Sequence, residues 1–297
     1  MAYRLSQFEG VAGLKVVRDS AFELTAKLST PLHAMLVPLR AEAYVAEVNR
    51  SDRVAAVLTT PELASLIDQR FGVAIAVDPV AAHAEVHSRC ALARQAELSA
   101  QETVIDPSAR IDDSASIATY GVNIGAGVVI GPKAIVRPGV SIERDCVIHP
   151  GVVLGVEGFQ VGKIGGRQRI VPQLGGVRLK PGVEILANSC VARALFGGET
   201  TIGEETVTDN LVYIAHDCQI GARVQICALV NILGRVEICD GAYIGPSAVI
   251  LNGTRIGAGS KVSIGAVVTR DVSPGQTVSG NFAIDHDRFL DHVRRIR

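Results

Sequence analysis

From Ile202 to Val268 the chain returns to the same kind of residue at every sixth position, and eleven of those twelve positions are Ile or Val, the exception being Thr208. Four residues after each comes a small or β-branched side chain, among them Val212, Cys218, Val224, Val230, Val236 and Thr254. The beat also runs from Ile124 to Leu154, from Ile105 to Ile117 and from Leu179 to Val191, twenty-four hexapeptides in all. An α-helix would repeat its apolar stripe every 3.6 residues, and a hairpin meander would need turn signals at wider spacing. A period of six predicts a parallel β-helix, in which each hexapeptide is a short strand and a turn. Three make a triangular coil, and coils stack about 4.8 Å apart through parallel ladders. Both periodic positions face inward, and twenty-four hexapeptides give eight coils.

The glycines that often follow the aliphatic position, as in IGAG and IGAR, are expected at corners with unusual backbone angles. The beat breaks twice. GVEGFQVGKIGGRQRIVPQLGG, from Gly155 to Gly176, is glycine-rich and carries Lys163, Arg167 and Arg169; a loop of that length in a compact repeat is functional or disordered. A second excursion lies around Phe196 to Thr201.

Residues 1–100 have no sixfold beat. There VAAVLTTPELASLIDQRFGVAIAV reads as strand, helix opened by Pro61, and strand, and a further helix runs from about Pro79 to Glu97. This predicts a small α/β domain over 1–100, a β-helix over 101–272 and a cap over 273–297, where Phe289, Leu290 and Val293 share one face of a short helix. The fold class is thus mainly β, a parallel β-helix with a small α/β domain before it.

Composition narrows the chemistry. The chain has no Trp, 4% aromatic residues and thirty glycines, so small branched side chains must fill the interior. A formal charge of −1 argues against a nucleic-acid or anionic-membrane partner. MAYRLSQFEG lacks a signal-peptide core and no run approaches the length of a membrane span, which predicts a cytoplasmic protein. The six cysteines show no metal-ligand spacing and read as small hydrophobes. His83 and His87, four apart on the expected helix, read as a solvated face, and His149 as outward-pointing.

His216, in DNLVYIAHDCQIG, lies two residues past the inward Ile214 and two before the inward Cys218, so it should project at a prism edge. Gly234 lies one coil further on and Asp209 on the preceding corner. A carboxylate can fix an imidazole's tautomer and stabilise its cation, and an open glycine N–H can hold an oxyanion. From spacing alone, His216 is equally well a surface histidine at a turn.

IAHDCQIG, the sixfold repeat, the segment GFQVGKIGGRQRIVPQLGGVRL and LSTPLHAMLVPLRAEAYVAEV together resemble the UDP-3-O-acylglucosamine N-acyltransferases of lipid A synthesis. The resemblance implies a homotrimer of left-handed β-helices with a nucleotide-contacting amino-terminal domain and active sites between subunits. It implies no resident cofactor; acyl-CoA or acyl carrier protein would bring the acyl group, as a thioester, to the amine of a nucleotide-linked sugar. His216 falls on the family's catalytic histidine, Asp209 on its partner aspartate and Gly234 on its oxyanion glycine. Phe159 matches the family's GF segment, and Lys163, Arg167 and Arg169 could meet phosphates. In LNGT, Asn252 matches while Thr254 replaces a second histidine, and Tyr44 is the one candidate for an aromatic against the base.

GAVVTRDVSPG resembles instead the short-chain, coenzyme A-dependent hexapeptide acetyltransferases, so sugar acetyl transfer or O-acylation is the alternative, and a non-catalytic scaffold a further one. A zinc carbonic anhydrase on the same fold needs three histidines, and the coils supply two. A nucleotidyltransferase would need a glycine-rich phosphate loop, which residues 1–100 lack.

Overall fold

The computed structural model describes residues 2–30, 32–164, 166–280 and 286–296; the side chains of Lys163, Phe289, Leu290 and Val293 lie outside that description, and with them the expected apolar face of the terminal helix, His286–Ile296. The hexapeptides form three parallel sheets of eight, eight and nine strands, the faces of a left-handed β-helix. Pairing joins residues one coil apart: Tyr213–Ile214 lies against Asn231–Ile232, and that pair against Val249–Ile250. The stack continues past Val268, because Thr277–Val278 pairs with Lys261–Val262 and Val272 bridges Ile256.

Both periodic positions fill one continuous core from Val122 to Val272. Each buried Ile or Val contributes roughly 1.5–3 kcal/mol relative to exposure, and the parallel ladder repeats that contribution with every coil. Two hydroxyls on inward positions find carbonyls: Thr206 Oγ1 donates to Gly221 O, and Ser260 Oγ to Ser273 O.

The corners differ from expectation. Left-handed backbone falls three residues after the aliphatic position, not one, and often on residues other than glycine, including Leu211, Asp217, Leu229 and Arg235. Each such corner costs about 1–2 kcal/mol relative to glycine. The glycines directly after the aliphatic residue answer a different need. A methyl on Gly203 or Gly257 would stand 2.3 Å from backbone of the next coil, so only glycine admits that approach.

The amino-terminal region is a five-stranded sheet in the order Lys15–Arg18, Gly72–Ile75, Val54–Thr59, Met35–Pro38 and Leu24–Thr25, parallel except at its first strand. The Pro61 helix is a single turn, Pro61–Ala64, whereas Pro79–Ser99 runs for 21 residues, capped by Asp78 on the N–H groups of Val80 and Ala81.

His83 and His87 on this helix are buried, which corrects the reading of a solvated face. Phe196 from the second excursion meets both rings edge-on, and the stretch before Gly176 covers His87. A helix sequence does not show what a distant insertion lays over it. A carbonyl can only accept, so His87 Nε2–H donates to Pro172 O (2.6 Å) and its Nδ1 accepts from the Thr25 hydroxyl (2.5 Å). Burial holds both rings neutral, pushing His83 down to about 3 and His87 to about 4. The first insertion itself forms a hairpin, Val161–Ile164 against Arg167–Ile170, and packs on the same helix.

Candidate active site

His216 stands at a corner of the coil and is buried at 7% exposure. The next residue, Asp217, has a left-handed φ of 61°, which turns its carboxylate back on the ring. Oδ2 accepts from His216 Nδ1–H at 2.7 Å, and Oδ1 accepts from the Leu195 N–H at 3.0 Å, while the Asp217 N–H donates to Thr200 Oγ1 at 2.9 Å. The second excursion thus fixes the aspartate that fixes the histidine. With its proton on Nδ1, the ring presents Nε2 as a lone pair, the form a general base requires.

Two glycines enclose the imidazole. A methyl on Gly234 would lie 2.7 Å from both Cε1 and Nε2, so the bare backbone one coil on is in contact with the reactive edge. A methyl on Gly158, from the first insertion, would lie 3.3 Å from Cδ2 and 2.8 Å from Gln173 Nε2. The N–H of Gly234 has no acceptor among the described residues of this chain. Gln173 is buried beside Gly158, and neither carboxamide atom has a partner among the described residues.

His216 and Gly234 therefore meet, as expected from their spacing. Asp209 does not supply the carboxylate within this chain. Its Oδ1 accepts from the Asn210 N–H and its Oδ2 from the Ala228 N–H, so it caps its own corner and the one stacked on it. Asp217 takes that place, because a left-handed residue beside the histidine reaches back where a residue one corner earlier cannot.

Thr254, expected to meet substrate, points into the core: it is four residues after Ile250, the inward position, and its carbonyl accepts from Glu237 N–H. Asn252 is exposed at the corner one coil beyond Gly234. Phe159 is 83% exposed next to Gly158, while Arg167 and Arg169 lie exposed on the hairpin and Tyr44 on the amino-terminal region. None of Asp209, Thr254, Arg169 and Tyr44 hydrogen-bonds to His216.

The residues missed from the sequence are Asp217, Gly158 and Gln173. Only Asp217 carried a signal, its adjacency to His216 at the position where the corner turns. Among the described residues no group of three His, Cys, Asp or Glu is placed to hold a metal ion, and no helix is long and apolar enough to cross a membrane.

A cavity of about 720 Å³ adjoins the site. It lies between Ser29, Thr30 and Leu32 of the amino-terminal region, Gly197–Glu199 of the second excursion, and the stacked corners Asp217, Arg235 and Gly253.

A left-handed parallel β-helix built of hexapeptides, with one enclosed histidine held by a carboxylate, defines the class of this protein. Residues 121–155 match the bacterial transferase hexapeptide family (six repeats). The chain is similar to the UDP-3-O-acylglucosamine N-acyltransferase of Caulobacter sp. (strain K31), 42% identical over 135 residues, which is 45% of this chain and 39% of that protein. It is also similar to the enzyme of the same name from Herminiimonas arsenicoxydans, 32% identical over 52% of this chain and 44% of that one. The chain thus spans about two fifths of the length of these relatives. Among solved structures, the UDP-N-acetylglucosamine acyltransferase from Campylobacter jejuni shares the fold with a TM-score of 0.50 at 20% identity, over 65% of this chain and 81% of that one.

Proposed function

We propose that the protein is an N-acyltransferase that moves an acyl group from a thioester, on coenzyme A or acyl carrier protein, to the amine of a nucleotide-linked amino sugar. One observation carries the reading: His216, its Nδ1 held by Asp217, lies edge-on against the bare backbone of Gly234. Similarity to enzymes named for acylating a UDP-linked amino sugar supports the substrate class.

The reaction needs no covalent enzyme intermediate. The neutral amine attacks the thioester carbonyl, forming the C–N bond, and His216 Nε2 takes the proton the nitrogen sheds. Asp217 stabilises the imidazolium, and the Gly234 N–H donates to the tetrahedral oxyanion. Collapse breaks the C–S bond, the imidazolium returns its proton to the departing thiolate, and amide and thiol leave.

A homotrimer with sites between subunits, in which residues 1–100 contact the nucleotide, belongs to the same proposal. Leu211 and Leu229, one coil apart at left-handed corners, are each about half exposed, as a ridge meeting another copy would be. The test is thiol release from acyl-CoA and acyl carrier protein donors with a panel of nucleotide-linked amino sugars. His216→Ala is expected to lose roughly a hundredfold to ten-thousandfold in turnover while keeping the oligomer. Turnover at the wild-type rate in that variant overturns the mechanism.

A further inference from the structure

The cavity beside Asp217 carries a charge that no carboxylate among the described residues answers. Three carboxylates line it, and each is committed. Asp217 holds His216 and the Leu195 N–H; Glu199 accepts from the Arg178 guanidinium through both oxygens; Glu237 pairs with Arg255 Nε at 3.0 Å. Arg235, on the corner stacked over Asp217, has no ion pair among the described residues. Among the described residues its Nη1 reaches the Ser29 hydroxyl alone, at 3.4 Å, and its buried Nε has no partner. Its φ of 61° means that a long cationic side chain occupies a corner where the next coil places Gly253, at φ 71°.

A second cation stands near it. The amine of Lys27, two residues before Ser29, is held below its ordinary pKa by desolvation and by the Arg235 guanidinium, with Asp217 acting in the opposite sense. Two cations that repel each other, one with a buried donor left over, cost folding energy unless something compensates them.

We infer that Arg235 forms the seat for an anionic group of the acceptor sugar, a phosphate or a carboxylate, at the end of the cavity next to the His216–Asp217 pair. This rests on the acyl-transfer reading for the identity of the acceptor, but not for the existence of the seat. Position chooses acceptor over donor. Arg235 follows directly on Gly234 and its cavity shares Asp217 with the catalytic pair, so the seat adjoins the reacting centre, and an amino sugar carries its 1-phosphate or ring carboxylate only a few bonds from the amine. The phosphates of coenzyme A or a phosphopantetheine arm lie a long chain away from the thioester. A guanidinium whose one long contact is the Ser29 hydroxyl still has Nη donors to offer an oxyanion in the cavity.

The experiment compares wild type, Arg235→Gln and Arg235→Lys as full chains. Equilibrium binding would be measured for a nucleoside-diphosphate amino sugar, an amino uronic acid, a neutral amino sugar glycoside and an acyl-CoA. Arg235→Gln is expected to weaken one of the two anionic sugars by about tenfold to a hundredfold. The neutral glycoside and the acyl-CoA should bind as in wild type, the melting temperature should not fall, and Arg235→Lys should restore part of the loss. Which anionic sugar responds identifies phosphate or carboxylate. Equal weakening of the neutral glycoside, weakening of acyl-CoA alone, or no change with either anion each overturns the seat. His216→Ala should bind the anion as wild type does. Arg235-dependent binding without turnover on any thioester would therefore sink the acyl-transfer reading and leave the seat standing.

Discussion

The coils and the segments that interrupt them are built on opposite terms. In the coils every residue repeats a neighbour's environment eighteen positions away, so Ile214 sees Ile232 as Ile232 sees Ile250. In the interruptions nothing repeats: Gly158 lies on the His216 ring, Leu195 caps Asp217, and Pro172 receives the His87 proton. The coil supplies a rigid edge on which a histidine and a glycine stack. The interruptions supply what makes that edge different from the others. A solenoid is stable because neighbouring rungs are alike, and it acquires a site only where that likeness is broken.

The sharpest way to break the comparison is to remove each of two aspartates. Asp217 bonds across an interruption to Leu195 and to the His216 ring, whereas Asp209 bonds only to corners of its own stack. Asp217→Asn is expected to lower kcat about a hundredfold or more with little change in KM, because one carboxamide oxygen cannot accept from both the Leu195 N–H and the His216 Nδ1–H and carries no charge to stabilise the imidazolium. Asp209→Asn keeps an acceptor for one of its two N–H donors and does not touch His216, so it should leave kcat within about threefold. Steady-state kinetics of the two variants would measure this. The reverse ranking would mean that Asp209, the partner aspartate the family resemblance implied, and not Asp217 supports the catalytic histidine.

The same contrast governs what the sequence could reveal. The β-helix and its inward positions were legible because a sixfold period has one common backbone solution. The stacking of Gly234 on His216 followed from arithmetic alone. The corner angle was misplaced, since glycine serves both left-handed turns and close approach, and composition does not separate them. Thr254 was assigned to substrate against the inward beat it obeys. His83 and His87 were read as solvated because their cover comes from residues about a hundred positions away. Gln173 gave no signal, since an unpaired buried carboxamide is a property of packing.

The seam between the two regions should also be where acid acts. His83 and His87 are neutral when folded, with values near 3 and 4 against an ordinary 6.5. Unfolding lets both bind protons once the pH drops below about 6.5. Their contribution is therefore intact above that pH and is lost progressively as pH falls toward 4 and then 3. The slope is up to about 1.4 kcal/mol per pH unit for each ring. Hydrogen exchange between pH 7 and 5 should show the helix Pro79–Ser99 and its contacts at Phe196 losing protection before the strands from Ile202 onward. Uniform loss across both regions would mean that the seam has no stability of its own.

The smallest effect is expected inside the repeat, at its one irregular rung. Thr208 is fully buried between Ile185 and Ile226, and its Oγ1 has no partner among the described residues. Thr206 and Ser260 occupy buried positions too, but each hydroxyl reaches a carbonyl. An unsatisfied hydroxyl costs about 1–3 kcal/mol to bury, part of which a valine of nearly the same shape recovers without adding volume. Thr208→Val should therefore be neutral or stabilising by up to about 1 kcal/mol in denaturant unfolding, with turnover unchanged. Thr206→Val removes a bond from Gly221 O and one to the Val224 N–H, and should destabilise by about 1–2 kcal/mol. If Thr208→Val destabilises as much as Thr206→Val, the hydroxyl is answered after all, and an interior built from like rungs has specified a polar contact of its own.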